Sequence, residues 1–124
     1  MKTKSTSSLK KKAWNTFSLW IRTKYADWKG YVACVTCGVT KPIKAMQAGH
    51  FIAGRMNSIL FDERGVHPQC YSCNIGKHGN TLEYLDFMKK KYGMKVVNEL
   101  RTNSRKPRSW KTGELEELIE RYKI

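Results

Sequence analysis

The sequence predicts a single α+β domain organised around a metal site. Two C-x-x-C pairs, Cys34 with Cys37 and Cys70 with Cys73, are separated by about thirty residues. Short apolar segments between the pairs have the character of strands, and the sequence on both sides places apolar residues at helical spacing. A chain of 124 residues has room for one modest core, which a structural metal would help to stabilise.

The N-terminal part is predicted to be a basic arm followed by an amphipathic helix. Residues 1–12 hold five lysines among serine and threonine, which is typical of a mobile arm. Residues 9–29 carry a stripe at spacings of three and four, and such a helix must bury one face. The stripe consists of Trp14, Phe17, Trp20, Ile21, Tyr25 and Trp28. The arm includes Lys10, Lys11 and Lys12, which either contact phosphates or form a solvated tail.

The region 31–80 is predicted to contain the strands of the core. The first strand is expected around residues 48–52, and the second begins near Val66 and continues into the second cysteine pair. A loop carrying Arg55 separates the two strands. A helix is expected to start within residues 74–79, directly after the second pair.

The region 81–124 is predicted to be helical. Three segments, 81–92, 95–103 and one that starts at Thr112, place apolar residues at helical spacing. The residues expected to face the core are Leu82, Leu85, Met88, Val96, Val97, Leu100, Leu115, Leu118, Ile119 and Tyr122.

The cysteines predict a structural zinc ion. In a reducing compartment, C-x-x-C pairs are metal ligands or redox groups more readily than disulfides. Two such pairs at this spacing favour zinc over free thiols, with Cys34, Cys37, Cys70 and Cys73 as ligands. A closed four-thiolate zinc has no open coordination position, so any catalysis must come from residues around it.

The charge predicts a polyanionic partner. The chain has 24 basic and 10 acidic residues and a formal net charge of +14. Four zinc-bound thiolates would leave about +12, so nucleic acid is the first candidate and an anionic membrane surface the second. No apolar run approaches the roughly 20 residues of a membrane span, and the N-terminus lacks the apolar segment of a signal peptide. We therefore expect an intracellular protein that does not enter a membrane.

Several motifs together resemble the NinG (Rap) recombination nucleases of lambdoid phages. They are the first cysteine pair, Ala-Gly-His-Phe ending at Phe51, Val-His-Pro-Gln-Cys-x-x-Cys-Asn ending at Asn74, and Gly79 with Asn80. The order of cysteine pair, histidine, cysteine pair and asparagine is also similar to phage endonuclease VII and the wider HNH group. The resemblance covers about residues 31–100, with weaker similarity in the tail.

The resemblance implies a small ββα-metal (His-Me finger) core, pinned by the zinc and flanked by the N- and C-terminal helices. On this basis His50 would be the general base that activates water, and Asn74 would help to hold a catalytic Mg²⁺ or Mn²⁺ ion. The chemistry agrees, because neutral imidazole accepts a proton near pH 7 and a hard cation offsets phosphate charge. The implied protein is a phage-encoded DNA endonuclease in the bacterial host cytoplasm, acting on Holliday junctions or D-loops.

Two positions depart from the family pattern. Gly49 stands where HNH enzymes usually carry an acidic or histidine metal ligand, so His78, four residues after Asn74, is the candidate second ligand. Gly65 stands where the pattern usually has its middle asparagine. His67 is a candidate to take over part of that role, either as a structural residue or by orienting a DNA phosphate.

The sequence leaves alternatives open. His50 is also compatible with a core histidine beside the zinc, His78 with a polar helix residue, and Arg55 with a surface arginine rather than a bidentate phosphate ligand. The competing functions are a non-catalytic zinc-finger DNA-binding accessory protein of recombination and a zinc-stabilised RNA-binding protein. No motif specifies junction preference, cutting position or preferred ion, although paired cuts across a four-way junction would require a homodimer.

Overall fold

The computed structural model of the protein describes residues 5–124, which form four α-helices and two antiparallel hairpins. The helices are α1 (Thr6–Lys24), α2 (Thr81–Lys91), α3 (Met94–Ser104) and α4 (Thr112–Tyr122). One hairpin pairs β1 (Tyr31–Ala33) with β2 (Thr40–Pro42), and the other pairs β3 (Gln47–His50) with β4 (Val66–Gln69). The predicted α+β class is confirmed.

Helix α1 begins earlier than its sequence pattern suggests. Ser5 caps the helix, because its hydroxyl accepts a hydrogen bond from the backbone amide of Ser8 at 3.2 Å. The prediction of an arm that extends to residue 12 is therefore wrong, since the first turns of α1 include Lys10, Lys11 and Lys12. The rest of that prediction falls on residues 1–4, which lie outside the described part of the chain.

The apolar stripe of α1 faces the core as predicted, except at its end, and Trp14, Trp20 and Tyr25 are partly buried against it. Phe17 and Ile21 are fully buried, but the helix stops at Lys24 and the Trp28 side chain is 90% exposed. The Asp27 carboxylate accepts hydrogen bonds from the backbone amides two and four residues later, at 2.9 and 3.0 Å. This local turn competes with helix continuation and leaves Trp28 at its tip.

The core has two main parts, one on each side of the β3–β4 hairpin. On one side α1 packs against α4 and the hairpin, and on the other side α2 and α3 pack together. The second part is centred on Tyr84, Met88, Val97 and Leu100. Leu82 was expected to face the core, but it is 80% exposed, because α2 turns the face that carries Tyr84 and Met88 inward.

The β3–β4 hairpin confirms the two predicted core strands, with boundaries shifted by one or two residues. Gly49 pairs with His67, and His50 pairs with Val66. The chain then enters a π-helical turn over Ser72–Gly76 before α2 begins. This order of hairpin and helical segment is the one that a ββα core requires, and assignment to the ββα-metal class stays a prediction.

No helix within residues 5–124 combines the length and the apolar character that a membrane crossing requires.

Candidate functional site

The four cysteines of the two C-x-x-C pairs meet where the two hairpins approach each other. Their Sγ atoms all lie within 4.8 Å of one another. The Sγ atoms of Cys37 and Cys70 are 3.7 Å apart, close to the roughly 3.8 Å that a tetrahedral site with Zn–S bonds of about 2.3 Å requires. The cluster could therefore hold a zinc ion, as the spacing predicted.

Neighbouring polar groups support the cluster. The Thr36 hydroxyl lies 3.3 Å from the Cys34 Sγ, and the Asn80 amide donates to the Cys73 Sγ at 3.5 Å. Burial opposes ionisation of Cys34, but hydrogen bonds from Thr36 and backbone amides outweigh it and lower the pKa to about 6. A backbone hydrogen bond lowers the pKa of Cys37, whereas burial and the neighbouring thiols raise it to about 12. Thiols this close ionise together only when a cation offsets their charge.

A cleft of about 610 Å³ lies beside the β3 strand and collects most of the predicted catalytic residues. One wall comes from α1, a second from β3 and the loop after it, and a third from the segment after the second cysteine pair. The polar and aromatic side chains that line the cleft are Trp14, Ser18, Arg22, Gln47, His50, Phe51, Arg55, Asn74, His78 and Thr81. The fold thus brings His50, Asn74 and Arg55 together, although they are distant in sequence.

His50 lies half-buried at the end of β3, in a defined tautomer. Its Nε2 is 3.1 Å from the backbone carbonyl oxygen of Leu60. Because a carbonyl only accepts, Nε2 carries the hydrogen and Nδ1 keeps its lone pair. Burial lowers the pKa of His50; the Leu60 contact raises it, and the charge of Arg55 lowers it further. The imidazole is consequently neutral near pH 7, the state that a general base requires.

Trp14 connects His50 to Arg55. The Trp14 and His50 rings are stacked, with centroids 4.9 Å apart and an angle of 18° between the planes. The Arg55 guanidinium carbon lies 4.7 Å from the centre of the Trp14 ring, and Arg55 adopts a left-handed backbone conformation with φ of 50°. The contact fixes an exposed cation beside the histidine, where it could bind a phosphate oxygen.

Of the two roles predicted for His67, orienting a DNA phosphate is wrong because His67 is fully buried, which leaves the structural role. The Tyr84 hydroxyl donates to the Gly49 carbonyl at 2.7 Å, so the Tyr84 oxygen accepts from His67 Nδ1–H at 3.0 Å. His67 Nε2 in turn accepts from the Tyr92 hydroxyl at 2.8 Å. The chain of hydrogen bonds makes His67 a structural residue.

The His67 chain supports the backbone next to His50. Burial, with smaller contributions from the charges of Lys91 and Lys24, lowers the pKa of His67 to about 3. His67 therefore remains neutral and keeps its donor and acceptor roles across the physiological pH range. Through Tyr84 it fixes the carbonyl of Gly49, the residue that precedes His50 in β3.

Asn74 lies in the π-helical turn, opposite β3. A hydrogen bond of 2.7 Å joins its side-chain amide to the side-chain amide of Gln47 and holds Asn74 against β3. His78 lines the same cleft but is exposed, and its φ of 50° places it beyond the helical turn. The helical spacing that suggested His78 as a partner of Asn74 therefore does not apply.

Two lysines at the start of α1 share the helix face that forms one wall of the cleft. Trp14, Ser18 and Arg22 line the cleft at spacings of four residues. Lys10 and Lys11 precede Trp14 by four and three residues and share this face, whereas Lys12 lies on the opposite side of the helix. Two of the three lysines predicted to contact phosphate therefore lie on the helix face that lines the cleft, one turn before Trp14.

Sequence reasoning missed Gln47, Gln69 and Tyr84 as parts of the site, and took Trp14 only as a core residue. Gln47 precedes the strand predicted at residues 48–52 by one residue, and Gln69 lies on the second predicted strand, directly before Cys70. Their proximity to Gly49 and Asn74 was the available signal. Nothing local in the sequence indicates that Tyr84 reaches β3.

The described residues thus define a small α+β protein in which a four-cysteine cluster could bind a metal, next to a cleft with a neutral histidine and an asparagine. The whole chain, residues 1–124, matches the family model described as Bacteriophage Lambda NinG protein, and it belongs to this family. The predicted family is confirmed, whereas an HNH or endonuclease VII-like activity stays a prediction.

Curated relatives come from several phages. The chain is 29% identical over 113 residues to protein ninG of Salmonella phage P22, covering 90% of this chain and 53% of the relative. It is 28% identical over 113 residues to protein ninG of Escherichia phage lambda, covering 90% of this chain and 52% of the relative. The chain spans about half the length of the curated relatives it matches. No solved structure matches the chain.

Proposed function

We propose that this chain is a metal-dependent DNA endonuclease that hydrolyses phosphodiester bonds. The observation that carries the proposal is the state of His50. Its Nε2 is hydrogen-bonded to the Leu60 carbonyl, its Nδ1 has no hydrogen-bond partner within residues 5–124, and burial keeps the ring neutral. A histidine that only stabilised the core would not need to line an open cleft beside an arginine and an asparagine.

In this proposal the residues of the cleft have separate tasks. His50 Nδ1 removes a proton from the water that attacks phosphorus, and Arg55 holds a phosphate oxygen. The Asn74 side-chain oxygen suits a hard cation such as Mg²⁺ or Mn²⁺, which prefers oxygen ligands. Such an ion, when bound, would offset the charge on the phosphorane and on the leaving oxygen. The cysteine cluster has no catalytic task.

The nature of the DNA substrate rests on the NinG resemblance. That resemblance suggests branched recombination intermediates, such as Holliday junctions or D-loops. The net charge of +14 supports binding to a polyanion and does not distinguish branched from linear DNA. Paired cuts across a junction need two clefts, so two copies of the chain are expected on a junction substrate.

The competing function is a non-catalytic DNA-binding accessory protein. The basic charge and the cysteine cluster would serve binding alone equally well, and Gly49 provides no side-chain metal ligand at the position where HNH enzymes usually have one. Cleavage that depends on His50 would exclude this function.

The test is a cleavage assay with zinc-loaded protein on linear duplex, flap and four-way junction DNA, in Mg²⁺ or Mn²⁺. His50→Ala should lower turnover by roughly 10² to 10⁴-fold while DNA affinity and zinc content stay near normal. Asn74→Ala should also lower turnover and recover partly at high Mg²⁺, whereas His50→Ala should not. Full activity of His50→Ala would show that His50 is not the base.

A further inference from the structure

A second groove lies directly beside the cleft and is lined by basic residues. It has a volume of about 510 Å³. One wall is formed by residues 55–57, in the loop after β3, and the other by residues 104–108, where α3 ends. Arg55 lines both the groove and the cleft, so the two adjoin at this side chain.

Hydrogen bonds fix the two walls of the groove against each other. The Asn57 side-chain amide donates to the Arg108 carbonyl at 3.1 Å, and the Trp110 indole N–H donates to the Asn57 carbonyl at 3.0 Å. The Arg108 guanidinium carbon lies 3.9 Å from the centre of the Trp110 ring. The groove is therefore formed by the fold itself, before any ligand binds.

The groove carries four cationic side chains and no acidic one. They are Arg55, Arg105, Lys106 and Arg108. Arg108 is paired with Glu114 at 2.9 Å, whereas none of the other three has an ion-pair partner within residues 5–124. These three side chains are also exposed. Like charges gathered on one concave surface repel one another, so the groove favours an anionic ligand.

Two features favour a DNA backbone as this ligand. Among residues 5–124, no aromatic side chain lines the groove, so it offers no platform on which unpaired bases would stack. The groove adjoins the cleft at Arg55, the residue proposed to hold a phosphate oxygen there. An acidic protein segment would match the charge but would give no reason for this position beside the cleft.

We propose that the groove binds the sugar-phosphate backbone of the DNA strand that passes through the cleft, with Arg105 and Lys106 contacting phosphates beyond the one held by Arg55. The inference rests on the proposed function, because it takes the cleft to hold DNA. Phosphate contacts carry no sequence information, so the groove adds affinity without sequence preference.

The first test measures DNA binding and does not depend on cleavage. Zinc-loaded protein without added Mg²⁺ or Mn²⁺ is titrated into a short labelled duplex, and fluorescence anisotropy is recorded from about 50 to 200 mM salt. The groove variant, Arg105→Gln with Lys106→Gln, should reduce the salt slope by about 2, and each single substitution by about 1, because one phosphate contact contributes roughly 0.9. Both side chains are exposed, so the variants should fold, which thermal melting and zinc content check.

A matched control separates the groove from the net charge. Lys89→Gln with Lys90→Gln removes the same charge from exposed positions of α2 that line neither the groove nor the cleft, and it should leave the salt slope unchanged. An unchanged slope in the groove variant, or an equal decrease in the groove variant and the control, would overturn the proposal.

A second test asks whether one DNA molecule occupies both the groove and the cleft. Arg55→Gln should reduce the salt slope by about 1, and its combination with the groove variant by about 3, with the same number of duplexes bound per chain in every protein. A groove variant that binds fewer duplexes per chain at an unchanged slope would show a separate site and overturn the proposal. Poly-glutamate is the probe for an acidic protein ligand. A groove variant that loses poly-glutamate binding but keeps the wild-type DNA slope would overturn the proposal as well.

The outcomes separate the inference from the function on which it rests. Wild-type DNA binding by the groove variant would overturn the role of the groove and leave the nuclease proposal standing. Full cleavage activity of His50→Ala would remove the proposed base without changing the binding measurements. A zinc-loaded wild-type protein that does not bind DNA would overturn both proposals.

Discussion

The buried His67 predicts a specific pH dependence of folding stability. Its pKa lies at about 3 in the folded protein, against about 6.5 in the unfolded chain. Between pH 6.5 and pH 3 the unfolded state binds a proton at His67 and the folded state does not. The contribution of His67 to the free energy of unfolding is therefore fully present above pH 6.5 and is lost as the pH decreases toward 3. Replacement of His67 by Gln keeps a polar side chain between Tyr84 and Tyr92 but removes this titration.

The magnitude follows from the two pKa values. Between pH 7.5 and 5.5 a group with an unfolded pKa of about 6.5 and a folded pKa far below this window should cost about 1.4 kcal/mol of stability. His50, whose pKa is also lowered, contributes with the same sign in both proteins and cancels from the comparison. The wild type should therefore lose about 1.4 kcal/mol more than His67→Gln over this interval.

Urea unfolding at pH 7.5 and 5.5, with total zinc held constant, measures this difference directly. The window stays well above the folded pKa of His67, and any pH-dependent loss of zinc affects wild type and variant alike. An equal change of unfolding free energy in the two proteins would refute the assignment of His67 as a buried neutral residue. A smaller loss in the wild type than in the variant would refute it as well.

Three further predictions concern the zinc, the base and the DNA contact. Cys70→Ser should lose zinc and unfold, because metal binding and folding are coupled, and metal analysis that finds a folded zinc-free variant would contradict this. Because burial lowers the pKa of His50, the turnover rate should decrease with decreasing pH only below about pH 6.5. A turnover rate that already decreases above about pH 7 as the pH is lowered would contradict this role of His50. Replacing Lys10 and Lys11 by Gln should reduce the salt slope of DNA binding by about 1 to 2, whereas the control Lys12→Gln on the opposite helix face should not.

The sequence was sufficient for features that depend on local spacing. The cysteine pairs indicated their common metal site because each C-x-x-C brings its two sulfurs to one side of a short turn. The helices followed from apolar periodicity, and the β3–β4 strands from their apolar segments between the motifs. His50 and Asn74 were identified as cleft residues through the family resemblance.

Features that depend on the tertiary environment could not be predicted from local sequence patterns. β4 is buried over its whole length, because α1 covers one face of the hairpin and α2 with α3 covers the other. The alternation that normally marks an exposed strand face is therefore absent, so the sequence could not decide between a structural and a phosphate-orienting role for His67. Trp28 and Leu82 were misplaced for a related reason, since helical spacing does not say where a helix ends or which face meets a neighbour.

Gly49 is the residue at which the supports of the cleft meet. Its carbonyl accepts from Tyr84, which His67 holds, and its main chain faces Gln69 and Asn74. Gln69 also donates to Thr36 in the first C-x-x-C knuckle, so the cysteine cluster and the cleft share a hydrogen-bonded side chain. Gly49, which has no side chain, thus allows the supports of the cysteine cluster, His67 and His50 to pack closely around one strand.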